Sequence, residues 1–318
     1  MKRQAGIVFC AVAAMLFGAA SAYPQNGDFP GKGEAVVTVL PNHAAEWRIN
    51  VSQQDIKQIK VDGKDGQVTG FTPLEGPNNP AELVLLIDGG ARASLGTQMG
   101  DITSYVQEMP PNTKMAIAYM EEGRAVFGAP LSSDPAKVLQ ALHLPAGPVD
   151  ESASPYFCLS DLAKHWPSND ASARRIVIMI SDGIDYYELR YDPADPYVQA
   201  AVDDSVRNGL VVYFMFWRDL GRISNSGWEQ SAGQNLMLEV TDATGGYSYW
   251  EGFGNPVSFK PYFDDVRRRL ANQWGLSFAA PYNGKGAPEV GRLDFKMSVP
   301  AAKVDAPQKV VVQPAPRQ

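Results

Sequence analysis

Three short stretches hold the residues whose types and spacing could do chemistry. In "LVLLIDGGARAS", Asp88 ends an apolar run and is followed by Gly90, Arg92 and Ser94. In "MISDGID", Asp182 and Asp185 follow a second apolar run. The third, "GPVDESASPYF", offers Asp150, Ser152 and Ser154 just before a helix-like segment. Carboxylates and hydroxyls are hard oxygen ligands, and a bound Mg²⁺ or Ca²⁺ needs about six of them, waters included. The first stretch departs from such a set, because Gly90 has no side chain and Arg92 carries a permanent positive charge. A guanidinium within about 4 Å of Asp88 and Asp182 would stabilise both carboxylates much as a metal does. It would also repel an entering ion. The expectation is therefore no cofactor and no resident metal, with Arg92 as a tethered substitute. A weak Mg or Ca site, if present, would use Asp88 and Asp182 with hydroxyls such as Ser94. In the plainer alternative each Asp caps the next turn through backbone N–H groups and Arg92 points to solvent.

The elements that must position these residues are legible from periodicity. Residues 34–78 contain short segments, "EAVVTVLP", "EWRINVS", "IKQIKVDG" and "QVTGFTPL", with β-branched residues at period two and turn formers between them. They predict a small β module. From Glu82 the pattern becomes α/β. "ELVLLID", "RRIVIMISDG" and "LVVYFMFW" are continuous apolar runs typical of parallel strands covered on both faces. Helical segments alternate with them, two of which stop at Gly209 and at Gly245-Gly246. "TKMAIAYM" and "RAVFGAPL" predict a hairpin across Glu121-Glu122-Gly123. Alternating strands and helices imply a doubly wound, mostly parallel sheet between two helical layers over 80–275. In such sheets ligands sit outside the carboxyl ends of the strands, where all three stretches fall. Period-two strands return in 276–300 and are expected to join the N-terminal β module. The Pro/Ala-rich tail 301–318 is expected to be extended and partly disordered.

The order of these parts resembles a von Willebrand factor A-type domain. The flanking "VSQQDIKQIKVDGKDGQVTGF", "VTDATGGYSYW" and "RRLANQWGLSF" are similar to the secreted bacterial VWFA-related family. The metal-dependent adhesion site of von Willebrand factor A-type domains uses Asp-x-Ser-x-Ser after the first strand, a Thr from a second loop and an Asp of a "TDG" turn after the fourth strand. Here Asp88-Gly89-Gly90-Ala91-Arg92 replaces both serines, and Ser181-Asp182-Gly183 matches the last turn. Ser152 or Ser154 stands for the threonine. The resemblance implies a Rossmann-like fold and protein–protein recognition or adhesion through a degenerate metal site.

Bulk properties agree with a globular recognition protein and narrow its partners. Net charge is -7, and the one dense basic run, Arg267 to Arg269, follows Asp264-Asp265 at helical spacing. An ion-paired helix face is expected there, and nucleic acid is not expected as a partner. Lys2 and Arg3, the apolar stretch after them and Ala20-Ser21-Ala22 predict an export signal over 1–22, with a flexible leader over 23–33. The chain is thus expected in the periplasm or secreted, with no membrane span after the signal. Of two cysteines Cys158 alone remains, as a small buried hydrophobe of a helix. The loop "SDGIDYYELRYDPADPY" lacks EF-hand spacing and suits a recognition rim, and Trp250 or Phe253 is expected to reach the surface. Zinc-peptidase, hydrolase-elbow and nucleotide-loop motifs are missing, so the chain is read as a non-enzymatic module binding an unknown protein. A carboxylate hydrolase of an envelope polymer and an envelope scaffold are the alternatives.

Overall fold

The computed structural model describes residues 31–43, 48–76, 78–145, 154–188, 192, 194–218, 226–282 and 286–315. The export signal, the leader up to residue 30, and Asp150 and Ser152 lie outside the described residues. The N-terminal flank supplies β1 (Gly31–Pro41), β2 (Ile56–Val61), β3 (Lys64–Asp65) and β4 (Gln67–Pro73). The α/β region follows with β5 (Ala81–Asp88), α1 (Met99–Gln107), β6 (Thr113–Glu121), β7 (Arg124–Phe127), α2 (Pro135–Leu139), α3 (Pro155–Lys164) and β8 (Arg174–Ser181). It continues through α4 (Pro196–Arg207), β9 (Leu210–Phe216), α5 (Gly227–Thr244), β10 (Tyr247–Tyr249) and α6 (Lys260–Leu270). The C-terminal flank adds β11 (Gln273–Ala280), β12 (Glu289–Met297), β13 (Ala302–Asp305) and β14 (Lys309–Pro314).

Among the described residues the strands form two sheets. One runs β10-β9-β8-β5-β6-β7 and is parallel except for the β6–β7 hairpin. Every residue of β5 and β9 is buried, as their unbroken apolar runs require. Side chains alternate between two cores. Leu83, Leu85 and Ile87 face α1 and α6 through Ile102, Tyr105, Phe263 and Val266. Val84 and Leu86 face α3, α4 and α5 through Leu159, Val202 and Met237. Cys158 sits in that second core, fully buried, and burial pushes its thiol pKa up. Among the described residues no helix is long and apolar enough to cross a membrane.

The other sheet is antiparallel and takes strands from both flanks, in the order β3-β2-β12-β14-β1-β11-β4. β1 pairs with β11 along one edge and with β14 and then β13 along the other. β12 changes neighbours midway, its first half on β14 and its second half on β2. Val37, Val39, Ile59, Val61, Leu276, Phe278, Leu293, Val310 and Val312 fill the module's core.

Four expectations are corrected. The tail is not a free extension: 302–305 and 309–314 are paired strands. The leader is shorter than expected, since Gly31 to Gly33 already pair with β11 and β14. "EWRINVS" makes no strand over its described residues 48–52 and leads into a short 3-10 turn, because no neighbouring strand offers it a ladder. "SLGTQMGDITSYVQEM" has helical spacing at Met99, Ile102, Tyr105, Val106 and Met109, which predicts one helix from Ser94; the helix is regular only from Met99, and a kinked 3-10 segment precedes it.

Charged side chains join the two sheets. The basic run of α6 is ion-paired, with Arg267 to Glu108 at 2.7 Å and to Asp264 at 3.1 Å. Arg269 is 4% exposed and reaches Asp265 at 2.6 Å and Asp305 of β13 at 2.8 Å. Its guanidinium lies 3.9 Å from the Tyr247 ring. Removing one member of a buried pair strands the other charges away from water. Arg269→Ala is expected to lower unfolding stability by about 3 kcal/mol in a urea titration, whereas Arg92→Ala leaves this junction untouched and should not produce that loss.

Candidate functional site

The parallel register sets Ile87 beside Ile180, so Asp88 and Ser181 emerge together at the carboxyl edge of the sheet. The Ser181 hydroxyl donates to Asp88 Oδ2 at 2.8 Å, and the Gly90 N–H donates to Asp88 Oδ1 at 2.7 Å. Asp182 accepts from the Ile184 N–H at 3.1 Å and from the Tyr186 hydroxyl at 2.9 Å. Both carboxylates are 2% exposed. The capping alternative therefore describes contacts of both residues: each aspartate closes the turn that follows its strand.

Arg92 behaves differently. It is exposed, and its backbone stands at φ 47°, ψ -150°, where the 3-10 segment breaks. Residues with a Cβ rarely occupy this region, and holding one there costs about 1–3 kcal/mol. Ser94 turns inward instead of toward Asp88. Its hydroxyl donates to Ala91 O at 2.7 Å and accepts from Trp217 Nε1 at 3.1 Å. These residues fit a divalent cation poorly. Gly90 contributes only an N–H, the Ser94 hydroxyl is engaged elsewhere, and each Asp88 oxygen already accepts a hydrogen bond. Among the described residues no group of three or more His, Cys, Asp or Glu is arranged to hold a metal.

Asp185 and Ser154 lie together beneath the same edge. Ser154 is fully buried at the start of α3, and Asp185 is 3% exposed. Asp185 Oδ1 accepts from the Tyr187 N–H at 3.0 Å, whereas its Oδ2 and Ser154 Oγ lack full hydrogen bonds. Burial raises the Asp185 pKa, opposed first by the nearby Ser154 hydroxyl and then by the Tyr187 N–H. Of the two serines considered for the threonine position, only Ser154 is among the described residues.

Two features here were missed in the sequence. Gly183 adopts φ 71° directly after Asp182, and α5 packs against this turn through Gly233. A Cβ on Gly233 would stand 2.4 Å from Asp182 O. The other is a set of exposed apolar side chains in the segments that follow β8, β9 and β10: Tyr187, Trp228, Phe253 and Val257, the last 95% exposed. Of these, Phe253 was expected at the surface.

No protein-family model and no curated protein matches the chain. Solved structures do show likeness. An aerotolerance-related membrane protein from Bacteroides fragilis is similar at 14% identity and TM-score 0.39, over 60% of this chain and 98% of its own. The VWA domain of SpRpn10 is similar at 12% identity and TM-score 0.38, over 60% and 97%. Proximal thread matrix protein 1 from the mussel byssus, which has a zinc-occupied MIDAS motif, is similar at 13% identity and TM-score 0.41, over 65% and 48%. These likenesses are faint, and the functional reading rests on this chain's own contacts.

Two measurements test the site's construction. Gly233→Ala drives a methyl group into the Asp182 carbonyl, and overpacking of this kind costs about 2 kcal/mol; a lowered thermal midpoint is expected. For Asp185 the folded pKa lies above the ordinary value of 3.8. Between the two values the folded state binds the extra proton, so stability falls as pH rises through that window. Asp185→Asn keeps an acceptor for the Tyr187 N–H and removes the buried charge. Its thermal midpoint should exceed the parent's at pH 7 and converge with it below pH 3.8.

Proposed function

We propose that the chain is an extracytoplasmic recognition module of von Willebrand A type. It binds a protein partner through the carboxyl edge of its parallel sheet and needs no metal. The observation that carries this reading is Arg92, an exposed cation held in a strained backbone conformation four residues beyond the buried Asp88. Strain of this kind persists where surrounding structure over-determines it, and it clusters at functional sites. In this reading Arg92 supplies the positive charge that the ion supplies in a metal-dependent adhesion site. Tyr187, Trp228, Phe253 and Val257 supply apolar contact area on the same edge, and aromatic and Arg side chains are the usual anchors of protein interfaces.

The alternatives draw less support. A carboxylate hydrolase needs acidic groups that reach a substrate, and Asp88, Asp182 and Asp185 are all nearly inaccessible. A scaffold assembling through its tail would have to free β13 and β14 from their ladders.

Arg92→Gly separates stability from recognition. Glycine tolerates the backbone angles, so the variant should unfold about 1 kcal/mol later than the parent. In pull-downs from an envelope extract it should lose the partner that the parent captures. Retention of that partner by Arg92→Gly would count against the reading. Calorimetric titration with Mg²⁺, Mn²⁺ and Ca²⁺ tests the metal-free part: micromolar affinity abolished by Asp88→Ala would refute it.

A further inference from the structure

At the opposite end of the parallel sheet, where its strands begin, a cleft of about 690 Å³ separates the sheet from the β module. Val36, Leu210 and Leu276 give it apolar walls. Its charged lining among the described residues is Arg174, Arg175, Arg207 and Lys309 against Glu34. That balance is the reverse of the whole chain's, whose net charge is -7.

The hydrogen bonds of these arginines go to neutral acceptors. Arg174 Nη1 donates to Leu270 O at 3.3 Å and to Gln273 Oε1, and its Nε is buried with no acceptor. Arg175 Nη1 donates to Asn208 O at 3.4 Å, and its guanidinium lies 5.7 Å from the Trp166 ring. Arg207 Nη1 donates to Pro288 O at 3.0 Å. Among the described residues only Lys309 of the four cations has a carboxylate, Asp203 at 3.1 Å. Arg174 and Arg175 are partly buried, and guanidinium groups so placed without a paired carboxylate are unusual, because desolvation is normally offset by an anion. Burial accordingly pulls the Arg174 pKa down, with Tyr213 opposing it.

We propose that this cleft is a binding site for a small polyanion, whose oxyanion groups pair with Arg174 and Arg207. The guanidinium fork matches both carboxylate and phosphate oxygens. The volume falls within the range of about 300–1,000 Å³ usual for small-molecule sites. A cleft lined by one sign of charge between low-dielectric walls also concentrates oppositely charged ligands. The site lies at the strand amino ends and is independent of the recognition edge.

Isothermal titration of the purified chain with citrate and, separately, with inorganic pyrophosphate distinguishes a carboxylate ligand from a phosphate one. Ionic strength is held constant with NaCl. Saturable binding of at least one anion is expected with Kd below about 1 mM. Arg174→Gln and Arg207→Gln should each weaken it about tenfold, as loss of a charged hydrogen bond does, whereas Arg92→Gln should leave it unchanged. Arg207 is exposed, so its variant decides the matter if Arg174→Gln does not fold. Absence of saturable binding for both anions, or equal affinity in the parent and Arg207→Gln, overturns the proposal.

Discussion

The Arg269 guanidinium stands where the α/β layers meet the β module. It is held by Asp265 on its own helix and by Asp305 on β13, and it lies against Tyr247 at the end of the parallel sheet. Tyr249 donates its hydroxyl to the same Asp265. A buried cation of this kind tolerates little displacement, because each partner lost leaves charge without water or counter-ion. Other bonds follow the same line between the sheets: Arg268 to Pro41 O, Lys309 to Asp203, and the Gln308 N–H to Asp242 O. Together they fix how the β module sits on the amino ends of the strands.

With that end pinned, the opposite edge of the sheet is where chemistry differs from loop to loop. Its first layer is buried and hydrogen-bonded, with Ser181 tied to Asp88, and Asp88 and Asp182 each accepting from a backbone N–H group. Gly183 and Gly233 let α5 approach the Asp182 turn at backbone distance. Arg92, Tyr187, Trp228 and Phe253, in the segments that follow the strands, are exposed, whereas Asp88 and Asp182 are buried and hydrogen-bonded.

Much of this architecture was legible in the sequence, for simple reasons. Unbroken apolar runs such as 81–88 and 210–216 mean strands covered on both faces, and Gly209 and Gly245 mark helix ends through positive φ. The acidic-basic spacing of 264–269 read correctly as an ion-paired helix face. The tail did not read correctly. Val310 and Val312 alternate inward as strand residues do, but Pro307 and Pro314 bracket so short a segment that composition outweighed periodicity. The "EWRINVS" segment erred the other way, alternating in sequence while its described residues 48–52 join no strand. In the candidate site the residue types and their strand ends were visible. The inward turn of Ser94 depends on Trp217, distant in sequence, and the tight seat of Gly233 depends on helix packing. No local pattern encodes either.

The interleaving of the two termini in one sheet governs the order of events as the polypeptide is made. β1 emerges before the whole α/β region, yet its ladder partners β11, β13 and β14 emerge after it. Such non-local pairings are slow to form, and unpaired strand edges invite aggregation in the meantime. The α/β layers, built from neighbouring segments, can condense during synthesis, whereas β1 must wait until β11, β13 and β14 have been made. A nascent chain of this design would gain from a holdase that shields β1 until β14 has been made.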